Sequence, residues 1–128
     1  MLQKIVLITA SLLTLQVIST AFAPPARPIP KYLHVVDCYM KAHKLYTQKK
    51  YDRSTVLLKK ALTMDEDYWP AFYLLGHIYY RTQDYGKALE AYTSCMESDP
   101  PDVIFQHCEV AIGHTRIMLY HKHIAVNS

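Results

Sequence analysis

The feature that most constrains the fold of this chain is an internal repeat with a period of 34 residues. When the sequence is shifted by this period, aromatic residues fall on aromatic residues, histidine on histidine and small residues on small residues. Self-similarity at a fixed period of roughly 20–50 residues is the mark of repeat proteins, in which each unit buries its apolar face against its neighbours. The matched pairs are Tyr39 with Tyr73, Ala42 with Gly76, His43 with His77, Tyr46 with Tyr80, Tyr51 with Tyr85, Ala61 with Cys95 and Asp65 with Asp99.

Both copies have the composition of helices. From Tyr32 onward the chain contains no proline before Pro70 and no glycine before Gly76. The helix-compatible stretches are broken only by polar, aromatic turns at residues 48–52 and 83–86, and no strand-like alternation competes with them. The sequence therefore predicts an all-α protein built from helical hairpins.

The second copy resembles the tetratricopeptide repeat, a family of stacked helix–turn–helix units with the same period. Cysteine occupies one position at which the family prefers alanine. The motif residues are Phe72-x-x-Leu75-Gly76-x-x-Tyr79 in the first helix and Tyr85-x-x-Ala88-x-x-x-Tyr92-x-x-Cys95-x-x-x-x-Pro100 in the second helix and its terminator.

Physical reasons support this resemblance. Gly76 and Ala88 are small where two antiparallel helices must approach closely, and we predict that they form the closest contact of the hairpin. Tyr79 and Tyr92 are expected to fill the space beside them. Pro100 ends the second helix because it lacks a backbone donor.

The resemblance implies a helical-hairpin solenoid over residues 35–124. It consists of a repeat at 35–68, a repeat at 69–102 and a C-terminal capping helix at 102–124. The first repeat is degenerate: Lys41 stands where the family has leucine and Glu66 replaces the terminal proline. We therefore expect this end of the stack to be partly exposed to solvent.

Two registers compete for the third helix. The uninterrupted period puts His107 in the position of Tyr73 and His114 in that of Tyr80, whereas a shift of one residue, allowing for the extra proline, puts Val110 and Ala111 in the Leu-Gly positions. In either register the chain ends before a second helix returns, so the element is expected to act as the cap that solenoids need.

The N-terminal residues 1–23 have the form of a secretory signal peptide. Lys4 precedes an apolar run, and small residues at Ala21 and Ala23 offer cleavage sites. A proline-rich linker is predicted at residues 24–34. We expect an exported protein, periplasmic or secreted; the alternative is an uncleaved N-terminal membrane anchor.

Charge and cysteine content narrow the functional classes. A formal net charge of +3 is too weak to indicate nucleic-acid binding. Residues 31–60 nevertheless carry eight Lys/Arg against two Asp/Glu, and residues 61–102 carry two against eight. This split indicates either differently solvated helix faces or a dipolar module that self-associates.

Cys38, Cys95 and Cys108 are expected to be small buried hydrophobes, with a Cys95–Cys108 disulfide as the alternative.

The family resemblance implies a binding function in which the first helices line a concave groove for a protein or peptide. The expected contacts repeat as a Tyr-His-Tyr trio, and spacings of four and three residues put each trio on one helix face. Unperturbed imidazoles titrate at about pH 6.5, so affinity is expected to depend on mild acidity. The predicted groove residues are Tyr39, His43, Tyr46, Tyr73, His77, Tyr80 and Arg81.

Other functional classes have less support in the sequence. The Lys/Arg/Asn clamp with which some members of the family hold a peptide C-terminus is not reproduced. There is no HExxH motif and no phosphate-binding glycine loop, so we predict neither catalysis nor a cofactor. The alternative is a histidine-rich metal-binding or pH-responsive helical protein, since His107, His114 and His121 recur every seven residues. Residues at this spacing lie roughly 10 Å apart along a helix, too far for one ion, and we predict no metal site.

Overall fold

The computed structural model describes residues 30–127, which form five α-helices and contain no strand. The predicted all-α hairpin architecture is confirmed. The predicted signal segment and most of the predicted linker lie outside the described residues. The helices are α1 (Lys31–Thr47), α2 (Tyr51–Met64), α3 (Trp69–Arg81), α4 (Tyr85–Glu97) and α5 (Asp102–Val126).

The assignment of residues 31–34 to a linker is wrong, because α1 already begins at Lys31. Pro30 is the last proline of the cluster and lies at the N-cap with φ −55°. Its carbonyl accepts a hydrogen bond of 2.9 Å from the backbone N–H of Leu33. Proline tolerates this position, since the first helical turn needs no donor from it, and the next residues are free to be helical. At the other end, α5 continues two residues beyond the predicted limit of 124.

The two hairpins close through the same turn, which repeats with the 34-residue period. Lys49 has φ 59° and Gln83 has φ 61°, both in the left-handed region. This conformation ends a helix by directing the next N–H groups back to its last carbonyls. The closing bonds run from Lys50 N–H to the Leu45 carbonyl and from Asp84 N–H to the Tyr79 carbonyl, both at 2.9 Å.

The interiors of the two hairpins are filled differently. In the first, the buried hydroxyl of Ser54 donates a 2.8 Å hydrogen bond across to the carbonyl of Ala42. In the second, the ring of Tyr92 lies directly against Gly76, where an added Cβ would be only 2.5 Å from a ring carbon. Tyr92 thus fills the space beside Gly76, as predicted, and the second helix contributes an aromatic ring at this point.

The helix α5 packs on α4 and closes the C-terminal end of the stack. Its buried residues include Cys108 and Thr115. Burial does not choose between the two registers: the uninterrupted register aligns the buried Cys108 with the buried Leu74, but it also aligns the buried Thr115 with the exposed Arg81. The solvent exposure expected for the first repeat is also found, since Lys41 is exposed and pairs at 2.7 Å with Asp37.

The three cysteines are free thiols and are buried. Cys95 of α4 and Cys108 of α5 share one apolar cluster and interact directly, while Cys38 belongs to a separate cluster with Val35 and Ala61. Among residues 30–127, no helix combines the length and the apolar character that crossing a membrane requires.

Candidate partner-binding groove

The two Tyr-His-Tyr trios lie on the first helices of the two hairpins, α1 and α3. All four tyrosines of these trios are half-buried, so each ring keeps part of its surface in contact with solvent. They are Tyr39, Tyr46, Tyr73 and Tyr80. His43 and Arg81 are exposed, whereas His77 is half-buried. A half-buried tyrosine offers broad apolar contact together with a polar tip, which suits a surface that binds a partner reversibly.

The first trio is part of a chain of ring contacts. Tyr68, at the start of α3, packs edge-on against Tyr39 with the ring centroids 5.8 Å apart. His43 lies between the two tyrosines of its trio, 6.1 Å from Tyr39 and 6.3 Å from Tyr46. Tyr46 in turn lies 5.8 Å from Tyr51 of the hairpin turn. These contacts restrict the rotamers of the trio and so preorganise its surface.

The second trio is packed more tightly. The rings of Tyr73 and His77 are perpendicular with centroids 4.6 Å apart, and His77 also meets the ring of Tyr92 at 5.7 Å. Tyr80 contacts Tyr85 at 5.6 Å, which repeats the contact made one period earlier. Because Tyr92 is the ring that fills the space over Gly76, the groove surface rests directly on the hairpin core.

The first helices of the two hairpins, α1 and α3, are in contact with each other. Burial raises the pKa of the Tyr73 hydroxyl, and electrostatic interactions with Cys108, Cys95, Tyr39 and Tyr46 raise it further. That the two trios form one binding surface stays a prediction.

The two histidines differ in their surroundings, although they are 34 positions apart. His77 has a lowered pKa because it is desolvated by burial, and the nearby Arg81 and His107 disfavour its protonation further. His43 is exposed and has no such enclosure. The equivalence of the two histidines in the sequence does not extend to their burial.

The lowered pKa of His77 predicts that acid destabilises the fold through this residue. As the pH falls through the unfolded-state value of about 6.5, the unfolded chain binds a proton that the folded chain resists, so the free energy of unfolding decreases. We expect His77→Gln to lose less stability than the wild type between about pH 7 and pH 5, as measured by urea denaturation midpoints. Equal losses in the two proteins would contradict the burial of a neutral imidazole here.

Three further residues surround the trios: Tyr68 beside the first, and His107 and the buried Tyr92 near the second. His107 of α5 is near enough to His77 to disfavour its protonation, so the capping helix borders the second trio. Its position was available from the sequence, since the uninterrupted period already aligns His107 with Tyr73. The sequence did not indicate that Tyr92 and Tyr68 lie beside the trios, because these contacts depend on how the helices pack.

No metal-binding group is found in the part of the chain that the structure describes, where no three His, Cys, Asp or Glu side chains are placed to share an ion. His107, His114 and His121 are exposed at intervals of two turns along α5. Their spacing of roughly 10 Å along the axis prevents joint coordination within one chain.

Comparison with known families agrees with the repeat geometry. A family model described as Tetratricopeptide repeat matches residues 69–102, which span α3, α4 and the start of α5. This segment is a tetratricopeptide repeat. The hairpin of α1 and α2 has the same turn one period earlier, so the groove lies on the first helices of two stacked tetratricopeptide-type hairpins. Tetratricopeptide repeats generally mediate protein–protein interactions and are typically non-enzymatic scaffolds. No curated protein sequence matches this chain.

Proposed function

We propose that this protein is an exported, non-enzymatic scaffold that binds a protein or peptide along the aromatic groove of α1 and α3. The observation that supports the proposal is the repeated trio: half-buried tyrosines lie on two first helices that are in contact, and they keep part of their rings exposed. A surface of this kind gains binding energy from aromatic contact area while remaining compatible with water when it is empty.

The chemistry of the groove favours an apolar peptide segment with an acidic group at one end. The tyrosine rings supply apolar contact along the groove. Because the protonation of His77 is disfavoured, this residue does not place a charge against apolar side chains of the ligand. Arg81 is exposed one turn beyond His77 and has no carboxylate partner among residues 30–127. Its guanidinium can pair with a carboxylate of the ligand in bidentate fashion.

Peptide selection on the full chain tests the groove. We expect peptides chosen from a random displayed library to be rich in apolar residues with an acidic residue, and to lose binding roughly tenfold or more when Tyr46 and Tyr80 are both changed to alanine, because hot-spot tyrosines commonly contribute well over 1 kcal/mol each. Fluorescence anisotropy with the selected peptides measures the loss. Circular dichroism checks that the variant is folded.

A matched control is available outside the groove, where Tyr120 and His121 of α5 form a ring pair with centroids 6.1 Å apart. Changing both to alanine removes two aromatic rings, one of them a tyrosine, and is expected to leave peptide affinity unchanged. If the control variant loses as much affinity as the Tyr46/Tyr80 variant, the peptides bind elsewhere and the groove assignment fails.

Export is tested separately by sequencing the N-terminus of the protein recovered from the cell that makes it. We expect the mature chain to begin at Phe22 or Pro24, after cleavage next to Ala21 or Ala23. An intact Met1 in the soluble cytosolic fraction would exclude this route. Because the test does not involve the groove, it distinguishes a failure of localisation from a failure of binding.

A further inference from the structure

The helix α5 carries an exposed stripe that repeats every seven residues on the side away from α4. Val103, Val110 and Ile117 are 61%, 59% and 55% exposed. One turn further along lie Gln106, Gly113 and Tyr120, which are also exposed. A hydrophobic period of seven, sustained along a helix, is the period with which one helix packs along another in a coiled coil.

Charged residues follow the same period on one flank of the stripe. Asp102 and Glu109 are acidic and lie in the N-terminal half of the helix, whereas Arg116 and His123 lie in the C-terminal half. All four are exposed, and none forms an ion pair within residues 30–127. In an antiparallel pair of identical helices, the acidic residues of one helix would lie opposite the basic residues of the other. In a parallel pair, residues of like charge would lie side by side.

The apolar stripe and the charges together fix a register. Setting Val110 against Gly113 of a second copy places the two-fold axis between residues 111 and 112 and brings Glu109 to within two residues of the position opposite Arg116 of that copy, and the symmetry forms the reciprocal pair at the same time. In this register Val110 meets Gly113 of the second copy, and Val103 meets Tyr120 of the second copy. The two valines of each helix thus pack on the exposed backbone at Gly113 and on the ring of Tyr120 of the other helix.

Gly113 supports this register independently. It lies in the middle of a 25-residue helix, where glycine is the poorest helix former apart from proline. An added Cβ would meet nothing within 4 Å, so packing inside the chain does not require a glycine. A close approach by a second helix does require one, because only glycine lets two helix backbones come together at that point.

We infer that α5 is the interface of a homodimer in which two copies of this chain pair their last helices antiparallel, with Glu109 of each near Arg116 of the other. The dimer covers the exposed apolar stripe of the capping helix, which has no neighbour among residues 30–127. It is closed, because the same patch is used by both copies, and therefore differs from head-to-tail stacking, which would give open-ended oligomers.

Charge-exchange variants of the full chain test the inference by sedimentation equilibrium. Glu109→Arg and Arg116→Glu each replace two attractive pairs by two repulsive ones, so we expect each to raise the dimer dissociation constant roughly tenfold or more. The double variant restores both pairs and is expected to dimerise like the wild type. An equimolar mixture of the two single variants is expected to form a heterodimer. Glu97→Arg, an exposed charge reversal on α4, serves as the control and is expected to change nothing.

A second variant separates dimerisation from folding. Gly113→Lys is expected to leave the melting temperature of the monomer unchanged or higher, since a side chain has open space there, and to abolish the dimer. A wild-type chain that is monomeric at all accessible concentrations, or one that forms open-ended oligomers, would overturn the inference. Single reversals that dimerise like the wild type would overturn the antiparallel register. The peptide-binding measurement on the Tyr46/Tyr80 variant changes no residue of α5, so it does not depend on these outcomes.

Discussion

A chain that ends at Pro101 is expected to unfold or to associate nonspecifically, because α5 covers the apolar end of the second hairpin. Tyr92, Cys95 and Cys108 are at most 2% exposed and lie in the cluster that α4 forms with α5. Exposing large side chains costs about 1.5–3 kcal/mol each, so removal of the helix is expected to cost on the order of 5 kcal/mol. This is comparable to the whole stability of a small domain, roughly 5–15 kcal/mol.

Thermal melts followed by circular dichroism, together with sedimentation, measure this effect. The matched control ends after Lys122, whose side-chain ammonium donates a 2.8 Å hydrogen bond to the Gln83 carbonyl. This shorter truncation removes only exposed residues and is expected to melt near the wild-type temperature. If the chain ending at Pro101 were monomeric with an unchanged melting temperature, α5 would be an appendage and not a cap.

The second large effect is expected at Gly76, where leucine should destabilise the fold by roughly 3 kcal/mol through overpacking. Even the Cβ of an introduced residue would lie 2.5 Å from the ring of Tyr92, which is itself 2% exposed and has no free space to move into. Urea denaturation of the variant measures the loss. As a control, Gly86→Leu at the exposed start of α4 adds the same side chain where nothing lies within 4 Å, and a small change is expected there.

The first hairpin supplies a compensating substitution. One period earlier, Ala42 and Leu58 occupy the positions of Gly76 and Tyr92, and both are fully buried. The double variant Gly76→Ala/Tyr92→Leu copies this pair into the second hairpin. It is expected to be more stable than Gly76→Ala alone, because the smaller side chain makes room for the added methyl group. A double variant that is no more stable than the single one would show that the two hairpins are not equivalent in packing.

The sequence predicted the helical hairpins because their causes are local. The 34-residue period, the small residue at Ala42 or Gly76 and the proline at position 100 each act within one unit. The start of α1 was missed because four prolines suggested a longer linker than the chain has; a helix begins as soon as the last of them, Pro30, is passed.

The properties of the candidate groove were less accessible, because they depend on contacts between units. His43 and His77 are equivalent in the sequence, yet only His77 is enclosed by Tyr73 and Tyr92. The register of α5 was not accessible either, since both alignments preserve helical periodicity and the two buried residues Cys108 and Thr115 do not favour the same one. The role of the groove in binding stays a prediction that the peptide experiment addresses.

The buried thiols link the redox state of this protein to its folding rate. Burial raises the pKa of both Cys95 and Cys108, so the reactive thiolate is disfavoured as well as inaccessible in the folded chain. Disulfide exchange therefore reaches Cys95 and Cys108 more readily before the last helix docks than after it. A chain that folds quickly keeps reduced thiols even among oxidants, and one that folds slowly is open to mispaired disulfides.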